Sequence, residues 1–179
     1  MLDRQELINA IDSLATILDG KGVTSRIHIV GGAAIALTHD STRTATRDVD
    51  AWVLSNHEHT QAVANAINTV ADQRGWPTDW LNDSARIFIP ENVASDPKYW
   101  SPLRVIGVVT TLVASAELLL IMKLRAARGR RDLPDATLLQ RLCALNADEI
   151  TELYDYHYPE DPLPDRARIW LEALRRDEG

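Results

Sequence analysis

Two short motifs in the first third of the chain combine residue types that bind phosphate groups and metal ions. Gly31 and Gly32 directly follow a largely apolar segment, and Asp48 and Asp50 stand two positions apart further along. Adjacent glycines let a backbone approach a phosphate closely, and the N–H groups that open a helix attract an anion. Carboxylate oxygens suit Mg²⁺, which proteins usually hold together with substrate phosphates. Each motif alone is also typical of a tight turn or an exposed strand face, but together they favour metal-assisted phosphate chemistry.

The elements around these motifs decide where the side chains point. Residues 26–30 alternate polar and apolar types and predict a strand, and the alanine-rich residues 33–37 predict a short helix. Residues 38–47 are polar and predict a loop, after which residues 48–54 alternate again and predict a second strand. Because side chains alternate along a strand, the two aspartates share one face, with Cα atoms roughly 6.5 Å apart.

Hydrophobic periodicity and capping residues predict the remaining elements. Helices are predicted over residues 3–19, 116–128, 134–142 and 167–175, with Ser115 as the cap of the second. Another helix is predicted to begin at the capping pair Ser55 and Glu58 and to end near Gly75. A further helix is predicted after the capping pair Asn146 and Glu149. Strands are predicted over residues 85–89 and 103–113. Strands and helices mixed in this order predict an α/β (α+β) fold.

The composition bounds the class of protein. With 179 residues the chain is long enough for one domain with a helical annex. Its formal net charge of −7 argues against general electrostatic coating of nucleic acid. The single cysteine, Cys143, cannot form an internal disulfide, which favours a reducing compartment. The N-terminus lacks a signal-peptide pattern and no apolar run is long enough to span a bilayer, so we expect a cytoplasmic protein with no membrane partner.

The glycine pair and the acidic pair, in this order, resemble the signature of the DNA polymerase β-like nucleotidyltransferase superfamily. More narrowly, residues 30–37 and the segment from Arg43 through Thr46 to Asp50 are similar to the AbiEii and MenT-type toxin nucleotidyltransferases. The resemblance implies a mixed sheet flanked by helices. It also implies a nucleotidyltransferase domain over residues 1–142, with residues 143–179 as a C-terminal helical extension packed on the same domain.

A second block of the chain is similar to the same toxin family. Residues 117–127 resemble its lysine helix, and residues 130–135 resemble its Arg-Asp-x-x-Asp segment. In that family the lysine and a downstream aspartate complete the active site. The resemblance therefore implies catalytic roles for Lys123 and Asp135, with Asp132 as the competing choice.

Lys123 is also conspicuous without the resemblance. It is the one charged residue between Leu118 and Leu124, so its neighbours bury its stem and its ammonium group needs an anion. A triphosphate or an active-site aspartate meets that need. A structural ion pair with Glu117 or Asp135 is the alternative.

The resemblance implies a reaction and a set of partners. A nucleoside monophosphate passes from an NTP to an acceptor hydroxyl, with Mg²⁺, or Mn²⁺ in its place, held by Asp48 and Asp50. The residues expected to bind the nucleotide are Gly31, Gly32, Thr46 and Arg47. The implied acceptor is RNA, in particular a tRNA 3′ end, and the implied biological role is that of the toxin of a toxin–antitoxin pair, with an antitoxin protein as partner.

One departure from the superfamily pattern keeps other functions open. Classical members of the superfamily place a third carboxylate on a later strand. Neither 85–89 nor 103–113 contains an acidic residue, and Asp83 lies just before the first of them. A degenerate domain that binds a nucleotide without turnover is therefore one alternative. Transfer to a protein side chain, or to a small molecule such as an aminoglycoside, is another.

A basic cluster stands out against the acidic chain. It places five cations within nine residues: Lys123, Arg125, Arg128, Arg130 and Arg131. Such a cluster is typical of contact with an RNA backbone, and equally of a solvated helix end where cations complement the helix dipole.

Overall fold

The computed structural model describes residues 3–38, 48–93 and 95–178. Contacts within the chain define two compact units. The first unit consists of Met1–Ile87 and Trp100–Ala114, and the second of Phe88–Tyr99 and Ser115–Gly179. The assignment of a nucleotidyltransferase function to residues 1–142 stays a prediction. Among the helices of the described residues, none combines the length and apolar character needed to cross a bilayer.

Among the described residues, the first unit contains the five strands and three of the α-helices. In chain order its elements are α1 (Arg4–Gly20), β1 (Ser25–Ile29), α2 (Gly31–Thr38), β2 (Val49–Ser55), α3 (Thr60–Arg74), β3 (Leu81–Asn82), β4 (Trp100–Ile106) and β5 (Val109–Ala114). The second unit is helical, with α4 (Ala116–Ala126), α5 (Leu133–Cys143), α6 (Ala147–His157) and α7 (Asp165–Glu178).

The five strands form one mixed sheet in the order β3-β2-β1-β5-β4. β1 is antiparallel to β2 and parallel to β5, β2 is parallel to the short β3, and β4 is antiparallel to β5. Helix α1 packs against α3, β5 and β4, and its apolar stripe is fully buried. The expected α+β fold with a mixed sheet is confirmed, whereas the specific nucleotidyltransferase fold stays a prediction.

Several predicted helix ends are confirmed because their causes are local. The Ser115 hydroxyl accepts a hydrogen bond from the N–H of Leu118 and opens α4. Asn146 and Glu149 form a reciprocal capping box at the start of α6. At the end of α3, Gly75 takes the left-handed conformation with φ +65°.

The predicted helix cap at Ser55 and Glu58 is wrong. Ser55 still belongs to β2, where it pairs with Ser25 of β1, and its hydroxyl donates to the carbonyl of Asn56. A 3₁₀ turn, His57–His59, follows before α3 begins at Thr60. Strand pairing with β1 thus competes with the local capping pattern and prevails.

The predicted strand over residues 85–89 is wrong. The segment Ser84–Phe88 is a 3₁₀ helix, in which the N–H of Arg86 bonds back to the carbonyl of Asp83. Its apolar Ile87 is 71% exposed, so no partner strand or core covers that side chain. A short apolar run without a partner adopts the turn that its polar N-terminal neighbours favour.

The single strand predicted over residues 103–113 is two strands of a hairpin. β4 and β5 pair antiparallel on either side of Gly107, which has a positive φ of +52°. The N–H of Val108 donates to the Asp19 carboxylate at 2.9 Å, which ties the hairpin turn to the end of α1. Glycine at position 107 allows the chain to reverse direction between two strand-like segments.

Candidate functional site

The acidic pair lies at the start of β2 in the first unit. Asp48 immediately precedes the strand and Asp50 is its second residue, and both are half-buried. Val49 between them is fully buried. Because side chains alternate along an extended chain, Asp48 and Asp50 lie on the opposite side from Val49. The two predicted metal ligands are therefore neighbours on one side of the strand.

The predicted glycine turn meets the acidic pair directly. Gly31 has a φ of +65°, and a Cβ atom built on it would lie 2.4 Å from Oδ2 of Asp50. The N–H of Val30, the preceding residue, donates to the carbonyl of Asp50 at 2.9 Å. Gly31 thus serves two purposes, since only glycine tolerates this φ without strain and leaves room for the carboxylate. Gly32 follows in the first turn of α2.

The donor chemistry beside Gly31 fits a hard divalent cation. Carboxylate oxygens are the ligands that Mg²⁺ prefers, and one or two of them commonly suffice because phosphates and water complete the shell. In the part of the chain that the structure describes, no group of three or more histidine, cysteine or acidic side chains forms a metal site. Metal binding by Asp48 and Asp50 stays a prediction.

Asn82 is a site residue that the sequence interpretation missed. It stands on β3 in register with Asp50 of the parallel strand β2. Its Nδ2 group donates to Oδ2 of Asp48 at 3.2 Å. The next residue, Asp83, is exposed. A short strand ending at residue 82 is the signal that could have located Asn82. The strand wrongly predicted at 85–89 concealed it.

An aromatic cluster lies on β1, β2 and β4 in the first unit. The His28 ring stacks on Trp52, with centroids 4.8 Å apart, and meets Trp100 edge to face at 4.6 Å. Burial, with a smaller effect from the charge of Arg26, lowers the pKa of His28 to about 4. Its Nδ1 atom is buried and has no hydrogen-bond partner among the described residues. His28 is thus a neutral core ring beside the strand that carries Asp50.

Lys123, Asp132 and Asp135 come together within the second unit. The Lys123 ammonium contacts Oδ1 of Asp132 and Oδ2 of Asp135, each at 2.9 Å. The side chains of the lysine and the two aspartates are 11%, 0% and 9% exposed. Of the two alternative ion-pair partners, Asp135 is observed, whereas Glu117 pairs with Lys98 at 3.4 Å.

Asp132 accepts hydrogen bonds from both Lys123 and Arg128. Burial alone raises the pKa of the Asp132 carboxyl, but hydrogen bonds from Arg128 and Lys123 outweigh it and hold the pKa at about 2. Arg128 contributes both its Nε and its backbone N–H, at 2.8 and 2.9 Å. The Lys123 charge is balanced by two carboxylates in this arrangement, and its role as a phosphate ligand stays a prediction.

Much of the predicted basic cluster is neutralised by acidic side chains of the second unit. Arg125 forms an ion pair with Asp161 and lies over the Tyr158 ring, 4.6 Å from its centroid. Arg128 and Lys123 pair with carboxylates as described above. These contacts favour a structural role for the three paired cations over contact with an RNA backbone.

Thr46 and Arg47, which are predicted to bind the nucleotide, lie outside the described residues, as does Arg43. Burial raises the pKa of the Cys143 thiol to about 11, which makes it a poor nucleophile at neutral pH.

Comparison of the chain with protein-family models, with curated proteins and with solved structures gave no match. The class that the structure itself defines is an α+β protein whose mixed sheet carries a paired-carboxylate site against a glycine turn.

Proposed function

We propose that this protein is a divalent-metal-dependent nucleotidyltransferase whose reacting groups gather at Asp48 and Asp50. The observation that carries the proposal is the close approach of Gly31 to Asp50. It brings a glycine turn suited to binding phosphate beside a carboxylate pair suited to binding a metal ion. Nucleotidyl transfer uses both kinds of group together. The sequence resemblance to polymerase β-like enzymes is the second support.

The proposed reaction transfers a nucleoside monophosphate from an NTP. An acceptor hydroxyl oxygen forms a bond to the α-phosphorus, the bond from that phosphorus to the bridging oxygen breaks, and pyrophosphate leaves with the electron pair. The acceptor proton passes to solvent or to a nearby base. The backbone at Gly31 and the first N–H groups of α2 would bind the phosphates, and Asp48 and Asp50 would hold the metal. When bound, the metal neutralises charge on the triphosphate during the in-line displacement.

The proposed acceptor is RNA, most specifically the 3′ end of a tRNA, and the proposed biological role is that of a toxin with a cognate antitoxin. The resemblance to AbiEii and MenT-type proteins supports this acceptor. The ion pairs of Arg125 and Arg128 reduce the cationic surface that the sequence predicted for contact with such an RNA.

The proposal is tested by incubating purified protein with total RNA, Mg²⁺ and each α-labelled NTP in turn. Wild type is compared with Asp48→Ala and with Asp83→Ala, which removes an exposed acid from the same region. We expect label on RNA of tRNA size with wild type and Asp83→Ala, and none with Asp48→Ala.

The other outcomes point to the rival functions. Label on protein or on an added aminoglycoside, lost in Asp48→Ala, would retain the chemistry and replace the acceptor. NTP binding without transfer to any acceptor would contradict catalysis and favour a degenerate nucleotide-binding domain.

A further inference from the structure

We infer that Asn82 is a positioning residue that holds the Asp48 carboxylate in the orientation in which it binds the metal. This inference rests on the proposed function, since it assigns a role to Asn82 at the same site. The juxtaposition that carries it is the 3.2 Å hydrogen bond from Nδ2 of Asn82 to Oδ2 of Asp48.

Three contacts determine which way the Asn82 amide faces. Its Oδ1 accepts the N–H of Ser84 at 3.1 Å, so the opposite end of the amide must be the NH₂ group. That group donates to the carbonyl of Asp79 and to Asp48, both at 3.2 Å. The amide is therefore held from the turn that follows β3, and one N–H remains directed at the carboxylate.

The backbone places Asn82 where such a donor is effective. β3 pairs parallel with β2, and Asn82 lies opposite Asp50 in the register. The N–H of Val49 also donates to the carbonyl of Trp80 at 2.7 Å, which anchors the residue between the two aspartates. Asn82 is thus attached through the sheet to the strand that it serves.

The chemistry favours an amide at this position. The Asn82 N–H stabilises the charged form of the Asp48 carboxylate, and because it cannot itself bind a metal it does not compete for the ion. Hydrogen-bond partners of metal ligands commonly set ligand orientation, and their loss typically lowers metal affinity by about 10- to 100-fold.

The experiment titrates Mn²⁺ into nucleotide-free protein and follows the electron paramagnetic resonance of the free ion. Wild type, Asn82→Ala, Asp48→Asn and the neighbouring control Asp83→Asn are compared. We expect wild type and Asp83→Asn to bind alike, Asp48→Asn to lose the site, and Asn82→Ala to bind about 10- to 100-fold more weakly. Unchanged affinity in Asn82→Ala would overturn the inference.

A second variant keeps the test decisive if Asn82→Ala unfolds. Asn82→Asp retains the size and the acceptor for the Ser84 N–H, but it faces Asp48 with a like charge. We expect a lower melting temperature than wild type without metal and a larger increase on adding Mn²⁺, because the ion relieves the added repulsion. Melting temperatures equal to those of wild type under both conditions would show that residue 82 does not act on the site.

These readouts separate the inference from the proposed function. Mn²⁺ binding that depends on Asp48 and Asn82, without transfer from any NTP, would support the inference and contradict the transferase. If Asp48→Asn loses transfer but Asn82→Ala keeps both transfer and its metal affinity, the transferase is supported and the inference about Asn82 is contradicted. Absence of Asp48-dependent Mn²⁺ binding in wild type would overturn the inference, leaving the Asn82 bond as part of the turn alone.

Discussion

The carboxylate of Asp50 lies in the space that any side chain at position 31 would need. A Cβ on Gly31 would be 2.4 Å from Oδ2 and 3.1 Å from the Cβ of Asp50. The glycine turn and the acidic strand are therefore in direct contact, although 18 residues separate them along the chain. A substitution at position 31 or 50 should therefore alter the local structure at the other position.

We predict that Gly31→Ala damages the site more than its backbone strain explains. The left-handed conformation alone costs an L-residue about 1–2 kcal/mol. Gly75 has the same φ of +65° but nothing within 4 Å of its Cβ position, so Gly75→Ala measures that strain by itself. We expect Gly31→Ala to lose more unfolding free energy in urea than Gly75→Ala, and to lose Asp48-dependent Mn²⁺ binding. Equal losses of stability and intact metal binding would contradict the contact.

We predict that Asp48→Asn and Asp50→Asn each reduce nucleotide transfer by orders of magnitude while the fold persists. Asparagine matches aspartate in size and keeps a hydrogen-bonding side chain, so the substitution removes a negative charge without removing the side chain. The rate of transfer and the melting temperature are measured together, with Asp83→Asn as the control. Parallel losses of melting temperature and activity would indicate that the acidic pair is structural.

We predict that Lys123→Met destabilises the protein strongly because it removes the cation that two buried carboxylates share, although Asp132 keeps its hydrogen bonds from Arg128. Breaking a buried ion pair from one side typically costs about 3–5 kcal/mol. The matched control is Lys98→Met, which breaks the more exposed pair with Glu117, 61% and 36% accessible, and should cost less than about 1 kcal/mol. Denaturant unfolding of both variants checks the difference. Similar values for the two lysines would contradict a buried structural role for Lys123.

We predict that acid weakens the fold through His28. Its pKa is about 4 in the folded protein against 6.5 for the free side chain, so the unfolded chain binds a proton first. Above pH 6.5 this residue leaves the free energy of unfolding unchanged. Between pH 6.5 and 4 the free energy falls by a total on the order of 3 kcal/mol, and below pH 4 the contribution is constant.

Urea unfolding at pH values from 8 to 4 tests the His28 prediction against His28→Phe, which retains an aromatic ring for Trp52. As the pH falls from 6.5 to 4, wild type should lose more unfolding free energy than His28→Phe. A constant difference would show that His28 does not titrate on unfolding.

Several helix boundaries, though not the start of α3, were accessible to sequence reasoning because their causes lie within a turn or two. The Asn146 and Glu149 capping box, the Ser115 cap and the Gly75 terminus each depend on groups at most four residues apart. The strand boundaries were less accessible. Residues 85–89 and 103–113 carry strand-like patterns, but whether such a segment pairs, folds back or turns depends on distant partners.

The charged groups illustrate the same division. The isolated Lys123 in an apolar helix predicted a buried cation in need of an anion, and burial makes that need unavoidable. Which anions meet it depends on packing: Asp132 and Asp135 approach equally at 2.9 Å, and Arg128 shares Asp132.

The sequence by itself determined which chemistry is available: two glycines after a strand, and two carboxylates at alternate positions of another. Side-chain alternation along an extended backbone is a local property, so the shared face of Asp48 and Asp50 follows from their spacing. Only the tertiary structure placed Gly31 against Asp50 and brought Asn82 to Asp48 across 34 positions. Those neighbours arise from strand pairing, in which backbone hydrogen bonds join β2 to β1 and β3 regardless of distance along the chain.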